Sequence, residues 1–137
     1  MRKTYVLSII SLLIVILLSA CSRWVTYPIE LPASDDVTSI SIVSGGITVT
    51  CTDEEWIEEV MSVLMDVKPT SKLSVNDFPA VEDYITIYLN CFDNTNKRMF
   101  FYKEHGQEYV EQAYLGIYRP DPSLGIQIRD LLESLDE

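Results

Sequence analysis

Tyr84-Ile-Thr-Ile-Tyr-Leu-Asn-Cys91 alternates without a break. Ile85, Ile87, Leu89 and Cys91 fall on one side, Tyr84, Thr86, Tyr88 and Asn90 on the other. Period-2 alternation of this kind makes a half-buried β-strand. The runs beyond Cys91 decide the fold. Asp93 to Lys97 is rich in turn residues and leads into a second run, Arg98 to Tyr102. His105-Gly106 turns the chain again into Tyr109 to Tyr114, and Gly116-Ile-Tyr118 has the length of one further short strand. Links this short make hairpins, because parallel neighbours need crossovers of a dozen residues or more. This half of the chain reads as antiparallel sheet.

Upstream, Thr38 to Val43 and Ile47 to Cys51 alternate on either side of Ser44-Gly-Gly46, a hairpin signal. Thr52 to Val67 reads as a helix, with Thr52 as cap and Glu55 at the capping-box spacing. Asp53, Glu54 and Glu55 suit the positive end of its dipole. Trp56, Ile57, Val60, Met61 and Leu64 form the stripe that must meet the sheet, while Glu58 and Glu59 face water. Lys68 to Asp83, with Pro69 and Pro79, is a long connection without periodicity, and such loops are commonly functional. Asp121 caps a last helix with Pro122 at its first position, and Leu124, Ile128, Leu131, Leu132 and Leu135 are its stripe. The order β-β-α-β-β-β-(β)-α predicts one α+β domain over residues 37–137. Its antiparallel sheet has five to six strands, with one or two helices packed against it.

The first residues belong to a different problem. Arg2 and Lys3 precede fourteen uncharged residues, Tyr5 to Leu18, and Leu18-Ser-Ala-Cys21 closes the stretch. A membrane-spanning helix needs ~20 apolar residues, whereas a signal-peptide apolar region runs about 7–15 behind a positive tip. A plain secretory signal also ends in small residues; Cys21 favours a lipoprotein signal, because its thiol can take a diacylglycerol. Residues 1–20 are then the signal peptide, and 21–36, with Pro28 and Pro32, the lipidated cysteine and a stiff tether. Trp24 and Tyr27 can rest at the headgroup level or pack on the domain. A membrane is thus the expected partner, through the lipid on Cys21: the external face of the cell membrane, or the outer membrane where the host has two.

Removing Arg2 and Lys3 takes the formal charge from −11 to −13. An acidic surface argues against nucleic acid, whose phosphates require a basic face. Outside the cytoplasm Cys51 and Cys91 can form a disulfide, worth roughly 3–4 kcal/mol for a loop of this size. That pairing requires their strands to be neighbours.

Each candidate chemistry has a plainer alternative. Cys51, Cys91 and His105 are the letters of a nucleophile and its base, yet both thiols sit on aliphatic strand faces and His105 sits in a turn. Asp93-Asn-Thr-Asn-Lys97 has the composition of a calcium loop without its glycine or distal glutamate. The acids from Asp53 to Glu59 are explained by a capped, solvated helix, so neither metal nor cofactor is expected. Gly116-Ile-Tyr118 is half of a nuclease signature, and the other half is absent. Tyrosine is more informative: six of the seven beyond Cys21 lie past the long loop. Tyr84, Tyr88, Tyr109, Tyr114 and Tyr118, with Asn76 and Asp77 of the loop, are a candidate binding surface. Cross-strand aromatic pairing is the alternative.

Ser74-Val-Asn-Asp-Phe-Pro79 and Tyr109-Val-Glu-Gln-Ala-Tyr-Leu-Gly-Ile-Tyr118 resemble an uncharacterised family of small, mostly Gram-positive lipoprotein domains. Similar domains occur at the ends of some membrane-bound sensor peptidases. The resemblance spans most of residues 29–118, with Ala113 standing where a proline is expected. It implies an accessory extracellular domain and transfers no catalytic residue. The expectation is a lipid-anchored, non-enzymatic binding or interaction domain for an extracytoplasmic protein or envelope ligand. The alternatives are an envelope hydrolase, with Asp77, Glu82 and Glu111 as its nominated acids, and an inhibitor or sensor module for a secreted enzyme.

Overall fold

Seven strands form one sheet in a computed structural model that describes residues 27–134. The expected signal peptide, Cys21, Trp24 and Leu135 lie outside the described residues. The strands are β1 (Val37–Ser44), β2 (Ile47–Cys51), β3 (Lys68–Pro69), β4 (Ile85–Cys91), β5 (Asn96–Glu104), β6 (Gln107–Gln112) and β7 (Gly116–Arg119). Their spatial order is β2-β1-β4-β5-β6-β7-β3, and each neighbouring pair is antiparallel. The α+β class holds, but the sheet has more strands than the expected five to six. The Gly116 run is a strand, and β3 is an addition inside the stretch read as connection. Two residues long and half proline, β3 carries no alternation from which to read it.

Two turns hold the hairpins in register. Gly45 and Gly46 (φ +56° and +83°) join β1 to β2, and His105 and Gly106 (φ +50° and +77°) join β5 to β6. Two consecutive left-handed residues make the tight turn whose twist matches that of the strands.

Both helices pack on one face. The first, α1, runs Glu54–Met65; Asp53 rather than Thr52 caps it, its carboxylate accepting from Trp56 N–H at 2.8 Å. The second, α2, runs Ser123–Glu133, with Asp121 accepting from Ser123 N–H at 2.9 Å. Ile57, Val60, Met61 and Leu64 of α1 and Leu124 and Ile128 of α2 are buried on Ile40, Ile42, Ile87, Leu89, Met99, Phe101 and Val110. Each such side chain contributes roughly 1.5–3 kcal/mol on burial, so packing rather than intrinsic propensity holds a helix of this length.

Part of the expected tether belongs to the domain. Ile29 and Leu31 pack against the core. Between them Glu30 exchanges two backbone hydrogen bonds with the Gln112 side chain, both at 2.8 Å. A single 3-10 turn, Ser34–Asp36, then leads into β1.

Candidate functional site

Residues directly opposite each other on paired strands point to the same side, so the register gives the contents of the sheet's second face. From β1 through β7 it carries Ser41, Tyr88, Arg98, then Thr86, Phe100, Glu111 and Ile117, with Tyr102 opposite Tyr109. Among the described residues no helix packs on this face; the 70–84 loop covers its β5-β6-β7 half. Phe78 of the loop sets its ring 5.8 Å from Phe100 and 6.4 Å from Tyr84, and Tyr84 meets Phe100 edge-on at 5.4 Å. The Arg98 guanidinium lies 5.2 Å from the Phe78 and Phe100 rings alike, a cation–π arrangement bridging loop and sheet.

Beneath the loop is a cleft of about 340 Å³. Leu73, Val75, Ala80 and Val81 wall it on the loop side, and Tyr102, Glu111 and Ile117 on the sheet side. Glu111 is 4% exposed. One of its carboxylate oxygens accepts from the Ser74 hydroxyl at 2.7 Å, the other from the Tyr102 hydroxyl at 3.0 Å. A buried carboxylate is tolerated only with such donors. Each oxygen still has a free lone pair, so the floor can accept from a ligand. Burial, and next the Glu111 charge, push the Tyr102 hydroxyl well above the usual tyrosine range, so it remains a donor. At the mouth Lys72 pairs with Glu104 and stands 4.4 Å above the Tyr109 ring. Its hydrogen bond to Glu104 raises the Lys72 pKa and lowers that of Glu104.

The expected surface is therefore only partly assembled. Tyr84 lies on the second face against Phe78, and Tyr88 is half-buried on the uncovered part of that face. Tyr109 is 8% exposed, beneath Lys72. Tyr118 does not belong there. Opposite Val110 in register, it points into the helix side, 1% exposed, and its hydroxyl donates to the Tyr27 carbonyl at 2.8 Å. Tyr114 is 59% exposed at φ +63°, a conformation uncommon for a bulky residue, and its N–H donates to Ser74 Oγ at 3.2 Å. A hydrogen bond from Tyr114 to Asp77 raises the tyrosine pKa. Asn76 lines the cleft, whereas Asp77 and Glu82 do not, so the three nominated acids do not converge. Sequence patterns alone do not single out Lys72 or Arg98; Ser74 and Phe78 lie in the quoted loop motif and Tyr102 is one of the six tyrosines past the loop, but their contacts are not legible there. Parity gives Tyr102 the side of Glu111, but nothing local shows that a loop returns over both.

The cysteines stay apart. Both are free thiols, and β1 lies between β2 and β4. Two strand spacings come to about 9.5 Å, beyond the ~7 Å Cα separation that a disulfide spans. Both thiols lie at the end of the sheet near Lys97, while His105 follows the far end of β5. The length of that strand, ~27 Å, separates imidazole from thiol. In the Asp93 turn Thr95 donates to Asp93 Oδ1 through its N–H (3.0 Å) and hydroxyl (2.6 Å), holding the carboxyl below its usual range. Among the described residues no cluster of metal-ligating side chains occurs, and no helix is long and apolar enough to cross a membrane.

No curated protein matches the chain. A solved NMR structure of a protein from Ruminococcus gnavus is 35% identical in sequence, with a TM-score of 0.57. The match covers 66% of this chain and 89% of that one. Residues 25–119, from just before the docked Tyr27 segment to the end of β7, match the DUF5301 family, and the chain belongs to this family of domains of unknown function.

Proposed function

We propose that this protein is a lipid-anchored, extracytoplasmic binding module without catalytic activity, and that its ligand enters the cleft beneath the 70–84 loop. The carrying observation is the buried Glu111 at the floor of that cleft, flanked by two hydroxyls and walled by aliphatic side chains. The lining is mixed, with Lys72, Asn76 and Glu104 beside the aliphatic walls, and convergent polar groups set against apolar walls are what orient a small molecule or side chain in a site. Leu73, Val75, Phe78 and Tyr114 stand exposed on or beside the loop, which adds apolar contact area around the opening. The Leu18-Ser-Ala-Cys21 stretch supports the anchor, and the acidic charge keeps nucleic acid out of the reading.

The test is an NMR titration with soluble fragments of enzymatically digested cell envelope, comparing the protein with its Ala80→Trp variant. Ala80 is exposed and lines the cleft, so an indole there fills it without burdening the core. Shifts at Val75, Val81, Tyr102 and Ile117 that vanish in the variant are expected. Shifts confined to other surfaces, or none at all, overturn the reading.

A further inference from the structure

The apolar end of α1 and the segment beginning at Tyr27 share one surface, opposite in character to the acidic start of that helix. Met65, 61% exposed, borders a depression of about 540 Å³ lined by Pro28, Ile29, Pro32, Val67 and Pro69. Tyr27, 54% exposed, stands beside it, fixed through its carbonyl to Tyr118. The charges around this depression largely cancel. Lys68 pairs with Asp66 at 2.9 Å and Lys97 with Glu30 at 3.0 Å, while Arg119 lies opposite Lys68 in register. The acidic turn Asp53-Glu54-Glu55 is at the other end of α1, about 16 Å away along the helix axis.

We infer that this face rests on the lipid surface to which Cys21 is attached, an inference that depends on the lipid-anchor reading above. Six residue steps from Cys21 to Tyr27 reach at most about 20 Å, so the anchored domain holds this end near the bilayer. A chain of net charge −13 beyond the signal is repelled by anionic headgroups except where its own charge is cancelled. The tethered end is that place. Tyr27 supplies an amphipathic ring and Met65 a flexible apolar side chain for the headgroup level. The cleft beneath the 70–84 loop belongs to the sheet's second face, and the lipid contact leaves it open.

The experiment places the protein, purified from membranes with its acyl chains, in small nanodiscs of phosphatidylcholine and phosphatidylglycerol containing nitroxide-headgroup lipid. Methyl relaxation is then read. Ile29, Leu31, Met65 and Val67 are expected to relax several-fold faster than Ile47, Val75 and Ile126. In Met65→Glu that contrast should fall with an unchanged melting temperature, since the side chain is exposed. Acylated protein with relaxation spread evenly, or strongest at the control methyls, overturns this inference alone. Protein found without acyl chains defeats the anchor reading and this inference together.

Discussion

Tyr102 gives its hydroxyl hydrogen to a carboxylate that is almost wholly out of water, and a hydrogen bond to a buried charge is worth more than one between neutral groups. In Tyr102→Phe the Glu111 oxygen loses that donor while the ring volume stays. The variant should be less stable at neutral pH by about 1.5–3 kcal/mol, measured by urea unfolding. The site of this hydroxyl also has a pH signature, set first by burial and next by the Glu111 charge. The folded-state pKa of Tyr102 is raised, so the folded chain keeps a proton that the unfolded chain releases near pH 10. The resulting stabilisation is complete below the unfolded pKa and is lost as pH rises through the folded one. The gap between wild type and Tyr102→Phe should therefore narrow above about pH 10. A gap that stays constant from neutral to alkaline pH means that the hydroxyl is not buried against the Glu111 charge.

At the scale of elements, Ser74 is the point at which the 70–84 loop is fastened. Its hydroxyl donates to Glu111 and accepts from Tyr114 N–H, so one side chain joins loop, β6 and the β6–β7 turn. Ser74→Ala leaves both partners short of a bond and should cost on the order of 1–3 kcal/mol. Amide exchange should accelerate over residues 72–83 before it changes in β4 or β5, because the loop opens locally while the sheet is held by α1 and α2. Uniform acceleration means that the loop is part of the cooperative core. The hairpins β1–β2, β5–β6 and β6–β7, both helices and the two faces of β4 are all legible in the sequence, since period, turn glycines and caps are local properties. Three things are not. The β1–β4 pairing joins strands over forty residues apart and separates Cys51 from Cys91. Lys68–Pro69 is too short to carry a pattern. Nor can alternation alone say that the Tyr84 face is half covered by a loop, or that Tyr118 has the helix-side parity of Val110. Sequence places Glu111 among a few acids near strands, but its burial is a tertiary property.

For the whole molecule the question is what would hold it at a membrane on the proposed reading. The formal charge of residues 21–137 is −13, so electrostatic attraction to anionic lipid is not available. Among the described residues no helix crosses a bilayer. On the proposed reading the acyl chains on Cys21 supply the whole attachment, and two or more are needed, since one chain binds only marginally. Cys21→Ala removes the thiol that carries them. Membrane association alone is a poor readout, because an uncleaved chain keeps the apolar run Tyr5 to Leu18 and can stay in the bilayer through it. Intact mass separates the cases. The wild-type protein should begin at Cys21, contain 117 residues and carry the added mass of a diacylglycerol. It should also stay with membranes through a high-salt wash, as an apolar anchor does and an ionic one does not. The variant should lack the lipid and either retain all 137 residues or leave the membrane. If the variant is instead cut after Ala20, carries no lipid and remains as firmly bound as the wild type, the attachment lies in the domain itself and the lipid anchor is excluded.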